Sequence, residues 1–438
     1  MNMNRRSFLL AGAALGSLSL GTVVHAQLGS GAQRPEDHGA RGDGRADDTA
    51  ALQRTILAAG PGGVVELRPG AVYLVDTNWQ PSWNDFGGLK LLDGQTLRLN
   101  GGELRAIPTA QVRGAVVQGF RTRDWRILGP GRITGERDRH RGQGGEWGMG
   151  IAAWSAAGWS IEDVDVTNCW GDGIYVGTPG EPGFCRDFLI RNVRVADCRR
   201  NGISVVAGRD GRILGVDIRD VNGTNPKGGI DLEPDNPAAP NRNILIADGR
   251  IGGDLEVGIY VVVASENIRI ERMDIAGNNS GVIVSHQSNG IRIADSRIHS
   301  RIGGREGAAI RSVGQPSGIR GVHVTGCTLT GGGDFVVDFF GEGYRDLVVN
   351  GNLIRASNPG TKGIARLHSG TFTNNQCVMA ASAGPSGEFF LHLLGARYGG
   401  NSFRNETREP LRGLYIRSTA LGREDYRGPN VTQVVGND

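Results

Sequence analysis

Gly173-Ile174-Tyr175-Val176 returns as Gly202-Ile203-Ser204-Val205, Gly229-Ile230-Asp231-Leu232, Gly258-Ile259-Tyr260-Val261 and Gly281-Val282-Ile283-Val284. The starts lie 29, 27, 29 and 23 residues apart. Each phrase is too short for a helix. Its aliphatic second and fourth positions flank a variable third, which is the period of a strand. Repeats of this length mark stacked structural units. The aliphatic positions then fill a continuous core, and the variable position lies on the opposite face, free to carry chemistry.

Working outward, further strand pairs separate the phrases: Phe188-Leu189-Ile190 with Val193-Arg194-Val195, and the runs opened by Ile244-Leu245-Ile246 and Ile268-Arg269-Ile270. Three short strands per 23–29 residues, with Asn, Asp and Gly at the corners, describe one turn of a parallel β-helix, an all-β solenoid. Later coils continue through Val322-His323-Val324, Phe335-Val336-Val337 and Leu347-Val348-Val349. The period fades after about Gly370, so 370–438 is expected to form irregular final coils. At the other end, Asp47 or Asp48 N-caps a short helix to about Ala59, with Leu52 and Ile56 on one face. Strands at Val64-Val65-Glu66-Leu67 and Val72-Tyr73-Leu74-Val75 follow. This N-terminal cap region, 36–75, would cover the open end of the stacked core. Residues 36–438 read as a single β-helix domain.

The first 26 residues read as an address. Arg5-Arg6-Ser7-Phe8-Leu9-Leu10 precedes an apolar run that ends in Val24-His25-Ala26, a small-residue cleavage pattern. The arginine pair resembles a twin-arginine (Tat) export signal. A connector, 27–35, follows. The expectation is a periplasmic or secreted protein that meets the Tat machinery during export and has no membrane span. Lys+Arg 48 against Asp+Glu 45 leaves a net charge of +3, which implies no nucleic-acid-like basic surface. The 72 glycines are more than twice average usage and suit many tight turns. Cys169 and Cys198 each stand four residues before a phrase, so they should stack; a disulfide and a buried thiol pair both fit.

Asp43-Gly44, Asp47-Asp48-Thr49-Ala50-Ala51-Leu52-Gln53, Gly63-Val64-Val65-Glu66-Leu67, Pro69-Gly70 and Tyr73-Leu74-Val75 together resemble the N-terminal signature of the pectate-lyase-like superfamily. That superfamily includes rhamnogalacturonase- and epimerase-like proteins. The resemblance spans roughly 36–370 and implies a right-handed parallel β-helix with a capping helix. It says little of the reaction, since hydrolases, lyases, epimerases and phage tailspikes share the fold.

Register brings the chemistry together. Stacked phrases give an outward row of Tyr175, Ser204, Asp231, Tyr260 and Ile283; Glu233 lies two residues beyond Asp231, and Asp172 and Asn201 stand just ahead of their phrases. Asp231 and Glu233, at i and i+2, should have Cα atoms about 6.8 Å apart on one face. Asp172 should lie two coils away, roughly 9–10 Å. An inverting glycosidase needs carboxyls about 6.5–9.5 Å apart. Asp172, Asp231 and Glu233 are therefore the candidate catalytic residues. The bland alternative makes Asp172 a turn residue, Asp231 and Glu233 solvated, and Arg200 their ion-pair partner. Candidate substrate contacts are Arg137, His140, Glu146, Trp147, Tyr175, Arg200, Asn201, Ser204, Asp235 and Tyr260, with His286 on a neighbouring coil. Within the Gly-rich stretch Gly135–Gly150, Arg137 would clamp a carboxylate, His140 act as acid or base, and Trp147 stack on a sugar.

The pattern from Glu146-Trp147-Gly148 to Gly229-Ile230-Asp231-Leu232-Glu233-Pro234 also looks like a group of bacterial and phage β-helix proteins. In β-helix polygalacturonases the active carboxylates sit on matching strands of successive coils. The chain departs from them in lacking Asn-Thr-Asp, Gly-His-Gly and Arg-Ile-Lys, and it lacks the Asp-Pro-His of mannuronan epimerases. The leading expectation is an exported glycoside hydrolase acting on an acidic polysaccharide, without a cofactor. A polysaccharide lyase, with Ca²⁺ held by the same carboxylates, is the alternative. A β-helix that binds glycan without catalysis is the third reading.

Overall fold

Ile174, Ile203, Ile230, Ile259 and Val282 stand side by side on adjacent parallel strands, in the register the repeat implies. A computed structural model describes residues 31–78, 87–179, 183–285, 287–301, 307–313, 318–341, 343–380, 389–393, 396–406, 414–416 and 433–435. The leader, 1–26, and His286 lie outside the described residues.

Among the described residues the chain winds through three parallel sheets of 14, 14 and 13 strands. One circuit runs from Ile174–Gly177 in the site sheet to Cys185–Arg191 in the second, Arg194–Ala196 in the third, then Ile203–Val205 back in the first. Each strand pairs with its equivalent one coil later, so the fold is a parallel β-helix. The corner between the second and third sheets is a single left-handed residue: Asp163, Asn192, Gly215, Asp248, Asp295, Gly326 and Asn374 on different coils. Asn, Asp and Gly tolerate that conformation best. Arg272 is an exception at φ 52°, and its guanidinium is held by Asp248 on the preceding coil at 2.6 and 2.9 Å.

The phrase glycines serve a different purpose, since none has positive φ. A Cβ on Gly202 would lie 2.5 Å from the Gly229 carbonyl oxygen and 2.6 Å from Ile218 Cγ2. Gly229, Gly258 and Gly281 meet the equivalent isoleucine at 2.3, 2.2 and 2.2 Å. Two sheets converge there, and only hydrogen fits. Inside, the aliphatic columns form one core, joined by a stack of Trp125, Trp159 and Phe188 with centroids 4.9 and 5.1 Å apart.

The helix Thr49–Ala59 covers the first coil with Leu52 and Ile56 buried. Asp48 occupies the N-cap position, but its carboxylate accepts from the Arg41 and Gly42 amides instead. Gln95 Nε2 donates to the carbonyls of Ile56 and Gly60 at the other end. Beyond Gly370 the winding is more regular than expected: Gln376–Met379 pairs in register with Ser402–Asn405. All five cysteines are unbridged and buried.

The third sheet carries on its outer face a ladder alternating in sign over eight coils: Glu103, Arg132, Asp165, Arg194, Asp217, Arg250, Asp274 and Arg297. Opposite charges side by side stabilise neighbouring strands modestly. Among the described residues no helix is long and apolar enough to cross a membrane.

Candidate active site

Tyr175, Ser204, Asp231, Tyr260 and Ile283 form the expected row in the site sheet. Ile230 and Leu232 enter the central core, so Asp231 between them leaves by the outer face. The row is not open to water as expected. Ser204 is 0% and Asp231 2% exposed. Small outer cores lie on both sides: Tyr175 packs on Trp154 at 4.5 Å, with Ala115, Met149 and Ala152, and Ile283 packs with Val257 and Val262. The polar residues sit between these clusters.

Asn201 is the hub. Its backbone N–H donates to Asp172 Oδ1 at 3.1 Å, and its Nδ2 donates to Asp231 Oδ2 and Ser204 Oγ, both at 3.0 Å. Its Oδ1 accepts from the Gly228 amide at 2.9 Å. The amide cannot flip without breaking these bonds, so it fixes Asp231 relative to Asp172. Arg200 Nη1 donates to both Asp172 oxygens at 3.3 and 3.1 Å, and its Nε lies 3.4 Å from Glu146 Oε2. Asn201 was expected to touch substrate; buried and saturated, it acts through its neighbours.

Burial raises the Asp231 pKa to about 7, the Glu233 charge adds to the rise, and Arg200 opposes it. The same burial raises Asp172 despite Arg200, and raises Asp235. Tyr175 and Tyr260 are raised too, by burial first and then by Asp235 and Asp231 respectively. The Tyr260 hydroxyl donates to the Pro226 carbonyl at 3.4 Å. Glu233 is exposed. A buried carboxyl raised toward neutrality near a water-facing carboxylate offers the two complementary proton states that acid–base chemistry uses. Asp172, expected among the catalytic carboxylates, is 0% exposed, and both its oxygens are engaged by Arg200 and the Asn201 amide. The bland alternative fails for Asp231, which is not solvated, but it fits Asp172, which lies outside the strands and pairs with Arg200 at 3.1 Å.

Two expected substrate contacts are used elsewhere. Arg137 donates to the Cys198 carbonyl at 3.1 Å and to the Asn222 carbonyl and side chain, so its fork straps a corner and is not offered to a sugar carboxylate. The His140 side chain is buried, hydrogen-bonded to Glu136 at 2.7 Å and stacked on Trp170 at 3.8 Å. Trp170, part of the sequence pattern from Glu146 to Pro234 but given no role by it, is central to this packing. Arg199 lies over it at 4.0 Å, Trp170 Nε1 donates to the Gly144 carbonyl, and Arg199 donates to that of Gly145. These contacts anchor the loop that brings Glu146 to Arg200. The signal was Trp170-Gly171-Asp172, an aromatic two residues ahead of a candidate carboxylate. Trp147 stands exposed at the head of its strand with Arg113 over its ring at 4.3 Å.

The family model described as right handed beta helix region matches residues 149–377, more than half of the chain. The protein belongs to the right-handed β-helix family. A protein of Bacillus subtilis (strain 168), uncharacterized protein YclG, is 26% identical over 309 residues, 66% of this chain. This β-helix chain spans 47% of that curated relative's length. A tailspike protein mutant of E. coli bacteriophage HK620, solved with a pentasaccharide, superposes with a TM-score of 0.60 at 12% identity, covering 88% of this chain and 76% of its own. PfbA, a surface adhesin of Streptococcus pneumoniae, gives 0.51 at 14% identity, covering 93% and 100%. At such identities the likeness is one of fold.

Proposed function

We propose that this β-helix protein is an exported glycoside hydrolase acting on an acidic polysaccharide, with Asp231 as general acid and Glu233 as the base that activates water. One feature carries the reading: burial and the Glu233 charge push the Asp231 carboxyl up to about 7, and Glu233, two residues on, is exposed. Asp231 would protonate the departing glycosidic oxygen, and Glu233 would take a proton from the attacking water. Asn201 and Asp172 hold Asp231 and Arg200 in place, and Arg200 supplies positive charge for a uronate. The carbohydrate named with the tailspike structure agrees with this ligand class. The Arg5-Arg6 leader motivates the proposal of export.

A calcium-assisted lyase fits less well. Arg200 already places a positive charge between Asp172 and Glu146, where the lyase reading would put the calcium ion. The test is a panel of acidic and neutral polysaccharides assayed for new reducing ends and for near-ultraviolet absorbance. Asp231→Asn and Glu233→Gln should each lower reducing-end release on the order of a hundredfold or more. Activity should also fall as pH rises through about 7, where Asp231 loses its proton. Absorbing unsaturated products would assign a lyase; unchanged turnover in Asp231→Asn would reject the acid.

A further inference from the structure

Among the described residues five large hydrophobic side chains are exposed: Leu57, Val112, Trp147, Phe340 and Leu353. Isolated exposed apolar residues are ordinary. The two aromatic ones are not placed at random. Trp147 opens the strand Trp147–Trp154 and Phe340 directly follows Phe335–Phe339, both in the site sheet. They lie on opposite sides of Asp231. Three strand steps back from Gly228–Leu232 reach the Trp147 strand, about 14 Å, and four steps forward reach the Phe340 strand, about 19 Å.

Both rings are held in the same way. Arg113 lies over Trp147 at 4.3 Å and Arg366 over Phe340 at 4.2 Å. Arg366 is itself fixed by two bonds to Asp338 at 2.7 and 2.6 Å, and His368 meets the Phe340 ring edge-on at 4.5 Å. Phe340 nevertheless remains 51% exposed. An arginine on one face stiffens a ring and leaves its other face for a ligand. Rigid aromatic faces suit the C–H face of a pyranose, which gains dispersion contact without a directional bond. The adjacent guanidinium suits a sugar that carries a carboxylate.

We infer that Trp147 and Phe340 are two stacking subsites that bracket the acid–base pair, so one extended glycan crosses the sheet obliquely and is engaged on both sides of Asp231. This rests on the reading of the site as polysaccharide-acting. It adds that the chain is bound in its interior, and that Phe340 and Arg366, remote from the carboxyls, set how long a fragment is gripped.

The test measures affinity of size-fractionated oligogalacturonate and oligoalginate ladders for the full-length Asp231→Asn protein, which keeps both rings and should not consume the ligand. Affinity should climb with length until a fragment reaches both rings, then level off. Phe340→Ala should move that plateau to shorter fragments and lower it roughly three- to tenfold. Phe340→Trp should restore it, and thermal melting verifies that both variants fold. Superimposable length profiles for Phe340→Ala and its parent would overturn the subsite while leaving the hydrolase reading intact. No binding of either ladder by Asp231→Asn, with no turnover of either by the parent, would overturn both.

Discussion

In the unfolded chain Asp231 titrates near its ordinary 3.8, and in the fold at about 7. Between those values the folded protein binds the extra proton, so its stability falls as pH rises through this window and is flat above it. The span corresponds to stabilisation of the order of 4 kcal/mol, present at low pH and lost by pH 8. Asp231→Asn cannot titrate. Thermal melts at pH 5 and pH 8 should therefore differ less for this variant than for the parent. Parallel melting curves would show that the carboxyl is not held protonated. At this scale the sequence was a fair guide where alternation decides the outcome: Asp231 leaves by the outer face because Ile230 and Leu232 on either side of it enter the core. It was a poor guide to Arg137 and His140. Their partners, Cys198, Asn222 and Trp170, come from later coils through loop contacts that no periodicity encodes.

At the scale of the element, the Gly-aliphatic phrase located every strand of the site sheet between Ile174 and Ser285, and its spacing gave the register without error. The reason for its glycine became visible only with coordinates. Gly202→Ala places a methyl against a backbone carbonyl and an isoleucine, neither of which can retreat. A cost of about 1–3 kcal/mol is expected, read as a lower midpoint in denaturant. Gly144, with nothing within 4 Å of a Cβ, is the control, and Gly144→Ala should melt with the parent. Equal loss in both variants would mean that the corner is not the tight spot. The final coils were illegible for a related reason. After Gly370 strands such as Gln376–Met379 persist while the glycine phrase does not, so the eye loses the repeat before the fold does.

At the scale of the molecule, the alternating outer ladder sets each charge between Glu103 and Arg297 between two of opposite sign. Asp217 lies between Arg194 and Arg250 and also bonds Arg219 at 2.8 Å. Asp217→Arg would meet like charge on both sides and should lower stability by about 1 kcal/mol, less in high salt. An unchanged midpoint at low salt would remove the ladder from the energetics. Its larger effect concerns errors of winding. A solenoid of near-identical turns is prone to omit one, because hydrophobic columns mate almost as well with the next turn but one. Here an omitted turn would set arginine on arginine or carboxylate on carboxylate at the splice, so parity of charge works as a proofreading device for the order in which the turns are laid down.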